Sequence, residues 1–217
     1  MTVFPPPQEL FLFMTAAMVL LLIPGPAVLY IVARSVDQGY KAGLASSSGI
    51  AAGGLLHVLA ATLGLSALLL SSALAYSVVK YAGAAYLIYL GIKKLREKPS
   101  ARKTENIEAA PLSGVFAQGV LVQILNPKTA LFFFAFLPQF VSPARGNAAL
   151  QFLALGMLFT AMGLVSDSLW ALTAGSASGW LQRNAVFLRH QHHVSGTVYI
   201  GLGLVTMAGG SRHSVRN

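Results

Sequence analysis

Leu20-Leu21-Leu22-Ile23-Pro24-Gly25-Pro26-Ala27-Val28-Leu29 and Val122-Gln123-Ile124-Leu125-Asn126-Pro127-Lys128-Thr129-Ala130-Leu131 each set a helix breaker inside an apolar run long enough to cross a bilayer. Proline in a helix interior removes a backbone donor and clashes with the preceding turn, at a cost of ~3 kcal/mol or more. Hydrocarbon cannot satisfy the carbonyls this frees, so such breaks belong against protein or a wet cavity. Transporters bind their cargo at broken helices of this kind.

The rest of the composition agrees with a membrane setting. Of 217 residues, 55% are hydrophobic and only 10% charged, and the mean hydropathy is +0.67, values outside the range of ordinary soluble domains. Six windows, 10–32, 44–70, 73–92, 115–140, 150–171 and 194–208, are almost free of charge. All but the short last one approach or exceed the ~20 residues that span a hydrocarbon core. The expected fold is therefore all-α, an integral membrane protein of six transmembrane helices. The N-terminus has no Lys or Arg before Arg34, so the first window reads as a retained helix rather than a secretory signal. The absence of cysteine excludes disulfides, thiol chemistry and iron–sulfur or thiolate-metal sites, and no cofactor is expected.

A net charge of +9 could suggest nucleic acid, but the placement of the charge points to a bilayer. Six of the fifteen Lys and Arg lie between Lys93 and Lys103, in a polar segment that also holds Glu97, Glu105 and Glu108. With alternate connections assigned to opposite sides, ten cations (Arg34, Lys41, those six, Arg183 and Arg189) gather on one side. Lys80, Arg145, Arg212 and Arg216 fall on the other, and Lys128 is intramembrane. Positive-inside bias then puts the charged linker in the cytoplasm and both termini outside.

That linker, about 96–110, divides a single transmembrane domain (1–217) into halves of about 8–95 and 111–210. Pro24 and Pro127 each sit roughly fifteen residues into their own helix, and Gly83-x-x-Tyr86 has a counterpart in Gly196-x-x-Tyr199. Three helices per half force the second half into the opposite orientation, an inverted repeat with its first and fourth helices broken at Pro-Gly-Pro and Asn-Pro-Lys. Gly49 and Gly53 form a small-residue motif on the second helix, which reads as close helix packing or a dimer face, and a homodimer is plausible.

Pro24 and Pro26 cannot donate to the carbonyls of Leu20 and Leu22, and Pro127 leaves that of Gln123 free. Each break thus offers acceptors for an ammonium, and each restarting half-helix offers N–H groups for a carboxylate. Pro24, Gly25, Pro26, Gln123, Asn126, Pro127 and Lys128 are the candidate substrate-binding residues. A mid-span lysine is costly enough to want a partner. Asp167 is the one acid within a predicted span, which makes it the candidate for proton coupling. His57, the other intramembrane titrating group, is a second candidate, although a histidine hydrogen-bonded within a bundle accounts for it more simply. His190, His192 and His193 do not share one helix face and have no carboxylate beside them, so they read as a basic headgroup-contacting loop rather than a metal site.

Leu22-Ile23-Pro24-Gly25-Pro26, Gly39-Tyr40-Lys41-Ala42-Gly43-Leu44, Gly83 to Gly91, Leu125-Asn126-Pro127-Lys128-Thr129-Ala130-Leu131-Phe132-Phe133-Phe134 and Leu137-Pro138-Gln139-Phe140 together resemble the LysE/RhtB family of amino-acid exporters, in order over most of the chain. The resemblance implies a multi-pass exporter of the bacterial inner membrane that moves amino acids or close derivatives on the proton motive force. It also implies that the Pro-Gly-Pro and Asn-Pro-Lys segments matter to transport. The C-terminal part departs most, with His190 to His193 where relatives tend to carry arginines.

Secondary export by proton antiport is thus the expected function. A small-solute channel would need a continuous polar stripe, which the Ala, Leu and Gly faces do not supply. An intramembrane enzyme is the remaining alternative: an aspartyl mechanism wants two acids where the spans offer Asp167 alone, and Ser48-Gly49 lacks the preceding glycine of a Gly-x-Ser-Gly nucleophile motif. No catalytic residue is assigned. The expected partners are an amino-acid substrate, protons and lipid, without nucleic acid.

Overall fold

The computed structural model describes residues 2–65 and 110–176, together with single helical positions at 78, 81, 85, 88, 89, 92, 95, 96, 197, 200 and 204. The helices expected at 73–92 and 194–208, the charged linker, the Gly-x-x-Tyr pair and the histidines of 190–193 lie outside the described residues, apart from those single positions.

Helix α1 (Pro7–Leu22) begins with proline in its first turn, where no intrahelical donor is lost, and with Glu9 near the positive end of its dipole. It ends because neither Pro24 nor Pro26 can supply the next N–H. Ile23 swings to an extended ψ of 125°, and its own N–H falls back on the Leu20 carbonyl at 3.3 Å. Helix α2 (Pro26–Gln38) restarts on proline and stops at Gly39, whose φ of 82° with ψ of 173° is a conformation open to glycine. The chain then enters α3 (Tyr40–Ala60), which runs on through a π-type turn over Ala61–Leu65.

The second half repeats this grammar. Helix α4 (Leu112–Ile124) breaks at Leu125 and Asn126, and α5 (Pro127–Leu131) restarts behind an Asn126 cap whose side chain accepts from the Lys128 N–H at 3.1 Å. A π-type turn (Phe132–Phe136) and a 3-10 turn (Leu137–Phe140) extend α5, and a short turn (Pro143–Arg145) leads into α6 (Ala148–Ser176). The paired helices bend by 49° at the first break and 46° at the second. Among the described residues, two helices are long and apolar enough to cross a bilayer, the 26 residues of Tyr40–Leu65 and the 27 of Ala148–Ala174, and the candidate spans number up to four if each bent pair counts as one.

The two broken spans run in opposite directions. At one end, Arg145 pairs with Glu9 at 3.0 Å and its carbonyl accepts from the Thr2 N–H, so the start of α1 lies beside the end of the α5 segment. At the other end, Arg34 near the close of α2 reaches Gln118 in the first half of α4 at 2.6 Å. Helix α3 packs on α4 and α6, and α2 packs on α3 and α6.

Contact between α3 and α4 is close because glycines remove the side chains between them. A Cβ on Gly49 would lie 2.1 Å from the Phe116 carbonyl oxygen, one on Gly53 2.7 Å from that of Val120, and one on Gly119 2.7 Å from that of Ser46. The Gly49 and Gly53 face is therefore covered within the chain by α4, which settles that motif as intramolecular packing.

A cluster of aromatic rings fills the end of the bundle where α1 begins. Phe13, Phe132, Phe133, Phe136, Phe140, Phe152 and Phe159 are buried together, with Phe132 stacked on Phe159 at 4.1 Å and Phe13 edge-on to Phe140 at 5.2 Å.

Candidate functional site

The breaks meet. The Lys128 Nζ donates to the Ile23 carbonyl at 2.7 Å, a bond between the two halves at the residue that precedes Pro24. In an unbroken helix this carbonyl would accept from the N–H four residues on; the extended turn at Ile23 releases it. Lys128 is buried with 6% of its surface exposed, so its ammonium depends on this acceptor in place of water. Gly25 packs closely against this side chain, since a Cβ there would lie 3.2 Å from the Lys128 Cδ.

Gln123 ties the second break together. Its side-chain oxygen accepts from Asn126 Nδ2 at 3.1 Å, and its carbonyl, freed by Pro127, accepts from the Asn126 N–H at 3.0 Å. His57 Nε2 reaches the same carbonyl at 2.9 Å. A carbonyl only accepts, so Nε2 carries the proton there. The imidazole lies over Phe133, ring to ring at 5.9 Å. The carbonyls of Leu20 and Gln123, expected from sequence to remain open for cargo, are thus already used locally. The acceptor that the first break presents to a cation is Ile23.

A cavity of about 20 Å³ lies beside this junction, lined by Leu21, Ile50, Gly54, Gln123, Thr160 and Asp167 among others, with Phe159 dividing it from the aromatic cluster. It has room for a water but not for an amino acid. Asp167 is buried at 6% exposure and faces the same cavity as Gln123, whose side chain bonds Asn126 beside Lys128.

Of the sequence-derived candidates, Gly25, Gln123, Asn126 and Lys128 are buried and joined through the contacts above, and Asp167 faces the same cavity as Gln123. Pro24 is half-buried, whereas Pro26 and Pro127 are exposed. His57 is buried but is absent from the cavity wall.

Arg34 was read from sequence as a loop cation, but α2 continues past it and buries it at 5% exposure. Its guanidinium sits 5.7 Å from the centre of the Tyr30 ring, and the Tyr30 hydroxyl donates to the Val115 carbonyl at 2.8 Å. The signal for this cluster was the Tyr30 and Arg34 spacing of four, one face of a helix, with no hint that α4 would cover it. Among the described residues no group of three or more His, Cys, Asp or Glu could hold a metal.

The family model described as LysE type translocator matches residues 18–210. The chain belongs to this family. The LysE type chain is 29% identical to the uncharacterized membrane protein YrhP of Bacillus subtilis, over 92% of its own length and 98% of that protein. It is 30% identical to the homoserine/homoserine lactone efflux protein of Salmonella typhimurium, over 79% of its own length and 83% of the relative's. A leucine efflux protein of Salmonella choleraesuis shares 23% identity, over 87% and 90%. No solved structure matches. The apolar spans and these relatives identify the LysE type chain as a multi-pass bacterial membrane protein.

Proposed function

We propose that this protein exports amino acids or close derivatives from the cytoplasm as a secondary transporter, a use suited to two antiparallel broken helices that meet at a charged junction. The reading rests on one observation above all: Lys128 of the second break bonded to Ile23 of the first, near a small cavity that Gln123, Thr160 and Asp167 help line. Family membership supports it, as do relatives named for efflux of homoserine, homoserine lactone and leucine.

In this mechanism the cargo binds from the cytoplasmic half, where the cavity lies, while the aromatic cluster seals the outer half. Phe159, shared between the cavity wall and that cluster, moves when the seal opens. With further spans expected from sequence at 73–92 and 194–208, the two halves would form a six-span inverted repeat and rock about the proline breaks. A proton taken up by Asp167 from outside resets the carrier, giving antiport. The closed aromatic end is unfavourable to a channel, which needs a continuous wet path.

The test is an efflux assay in cells expressing the protein, screening amino acids for those whose toxicity it relieves, alongside Pro24→Ala and Pro127→Ala. Both variants should lower efflux of the identified cargo at least about fivefold while membrane abundance changes less. Parallel loss of flux and abundance would reduce the breaks to a folding role.

A further inference from the structure

We infer that the Ile23 carbonyl is a binding site for a primary ammonium, filled in the closed protein by Lys128 and taken over by the amino group of the cargo during transport. The inference rests on the transporter reading above and adds to it the chemistry by which cargo is admitted.

Three observations carry it. The first is the acceptor: Ile23 stands in extended conformation between two helices, so its oxygen is turned out of any helical ladder and accepts from Nζ at 2.7 Å. The second is the occupant. Lys128 is drawn across from the other half of the molecule, 105 residues away in sequence, and an ammonium with three donors on a flexible stem is the same group that an amino acid carries. The third is the room available. The adjoining cavity of about 20 Å³, lined by Gln123 and Asp167, holds no amino acid as it stands, and the Ile23 oxygen is already taken by Nζ, so cargo and lysine compete for that one acceptor.

Displacement then has a defined chemistry. The cargo ammonium replaces Nζ on the Ile23 oxygen, and the released Lys128 ammonium becomes a counter-ion for the cargo carboxylate or for Asp167, which lines the adjoining cavity. The buried positive charge on the carbonyl is thus exchanged rather than removed, which avoids leaving a desolvated acceptor unpaired at any stage. Specificity follows: a donor with free N–H groups is required, and a quaternary or acylated nitrogen is rejected.

The decisive measurement is thermal unfolding of the purified full-length protein and its Lys128→Ala variant in detergent, each titrated with n-propylammonium chloride or tetramethylammonium chloride. Propylammonium should raise the midpoint of Lys128→Ala by about 2–4 °C at several times its dissociation constant, with little effect on the wild type, and tetramethylammonium should stabilise neither. Equal response of the two proteins, or equal response to the two salts, would overturn the inference.

A second readout needs no variant. In proteoliposomes of the wild type, counterflow of homoserine should be inhibited by excess homoserine or leucine and not by their N-trimethyl forms; equal inhibition by the N-trimethyl forms counts against an N–H-dependent site. The two readings fail separately. Amine stabilisation without amino-acid flux would sink the transport reading, and flux without selectivity for N–H donors would sink the ammonium site.

Discussion

At the scale of single residues, the site is a division of labour among buried polar groups that each have a different partner. Lys128 holds Ile23, Asn126 caps α5, Gln123 links the cap to His57, and Asp167 faces the cavity. This arrangement separates the two titrating candidates. Asp167→Asn should reduce efflux driven by an outside-acid gradient about tenfold or more, the scale of ~1.4 kcal/mol on a barrier, while gradient-free counterflow survives; an unchanged response to pH would remove Asp167 from the proton path. His57→Gln, which keeps a donor near the Gln123 carbonyl, should preserve both flux and its pH dependence. Loss of that dependence in His57→Gln alone would return the proton to the histidine.

At the scale of elements, the breaks and the glycine contacts obey different physics. The breaks follow from local covalent chemistry, since proline cannot donate and the chain must bend wherever it stands. The glycine contacts depend on which helix comes near. Gly49 and Gly64 look alike in sequence, both within apolar helical runs, but among the described residues Gly49 has another backbone where its Cβ would go, whereas Gly64 has nothing within 4 Å. Gly49→Ala should therefore cost about 1–3 kcal/mol or more through overpacking and cut the yield of monodisperse protein in size-exclusion chromatography, with Gly64→Ala close to wild type. Similar yields for the two would mean that α3 and α4 do not approach as described.

At the scale of the whole molecule, the opposed broken spans fix which connections share a side. The Arg145 turn and the N-terminus lie together, and the start of α3 lies at the opposite end with Arg34. Positive-inside bias assigns the first of these ends to the outside. Because the chain has no cysteine, single-cysteine labelling tests this directly. Ala144→Cys, exposed in the turn before α6, should react with a membrane-impermeant maleimide in intact spheroplasts. Lys41→Cys, exposed at the start of α3, should react only after permeabilisation. The reverse pattern would invert the orientation and with it the direction assigned to transport.

Sequence by itself determined the membrane setting, the two broken spans and the pool of polar residues from which the site is drawn, because hydropathy and proline geometry act locally and leave their mark on the order of residues. It also pointed to Lys128 as a group in need of a partner. Only the tertiary structure chose that partner. Ile23 carries no distinctive side chain, and its role comes from a carbonyl that faces the other half of the protein once both helices have bent. The burial of Arg34 and the local use of the Gln123 carbonyl were likewise decided by which helix packs against which, a property of contacts far apart along the chain.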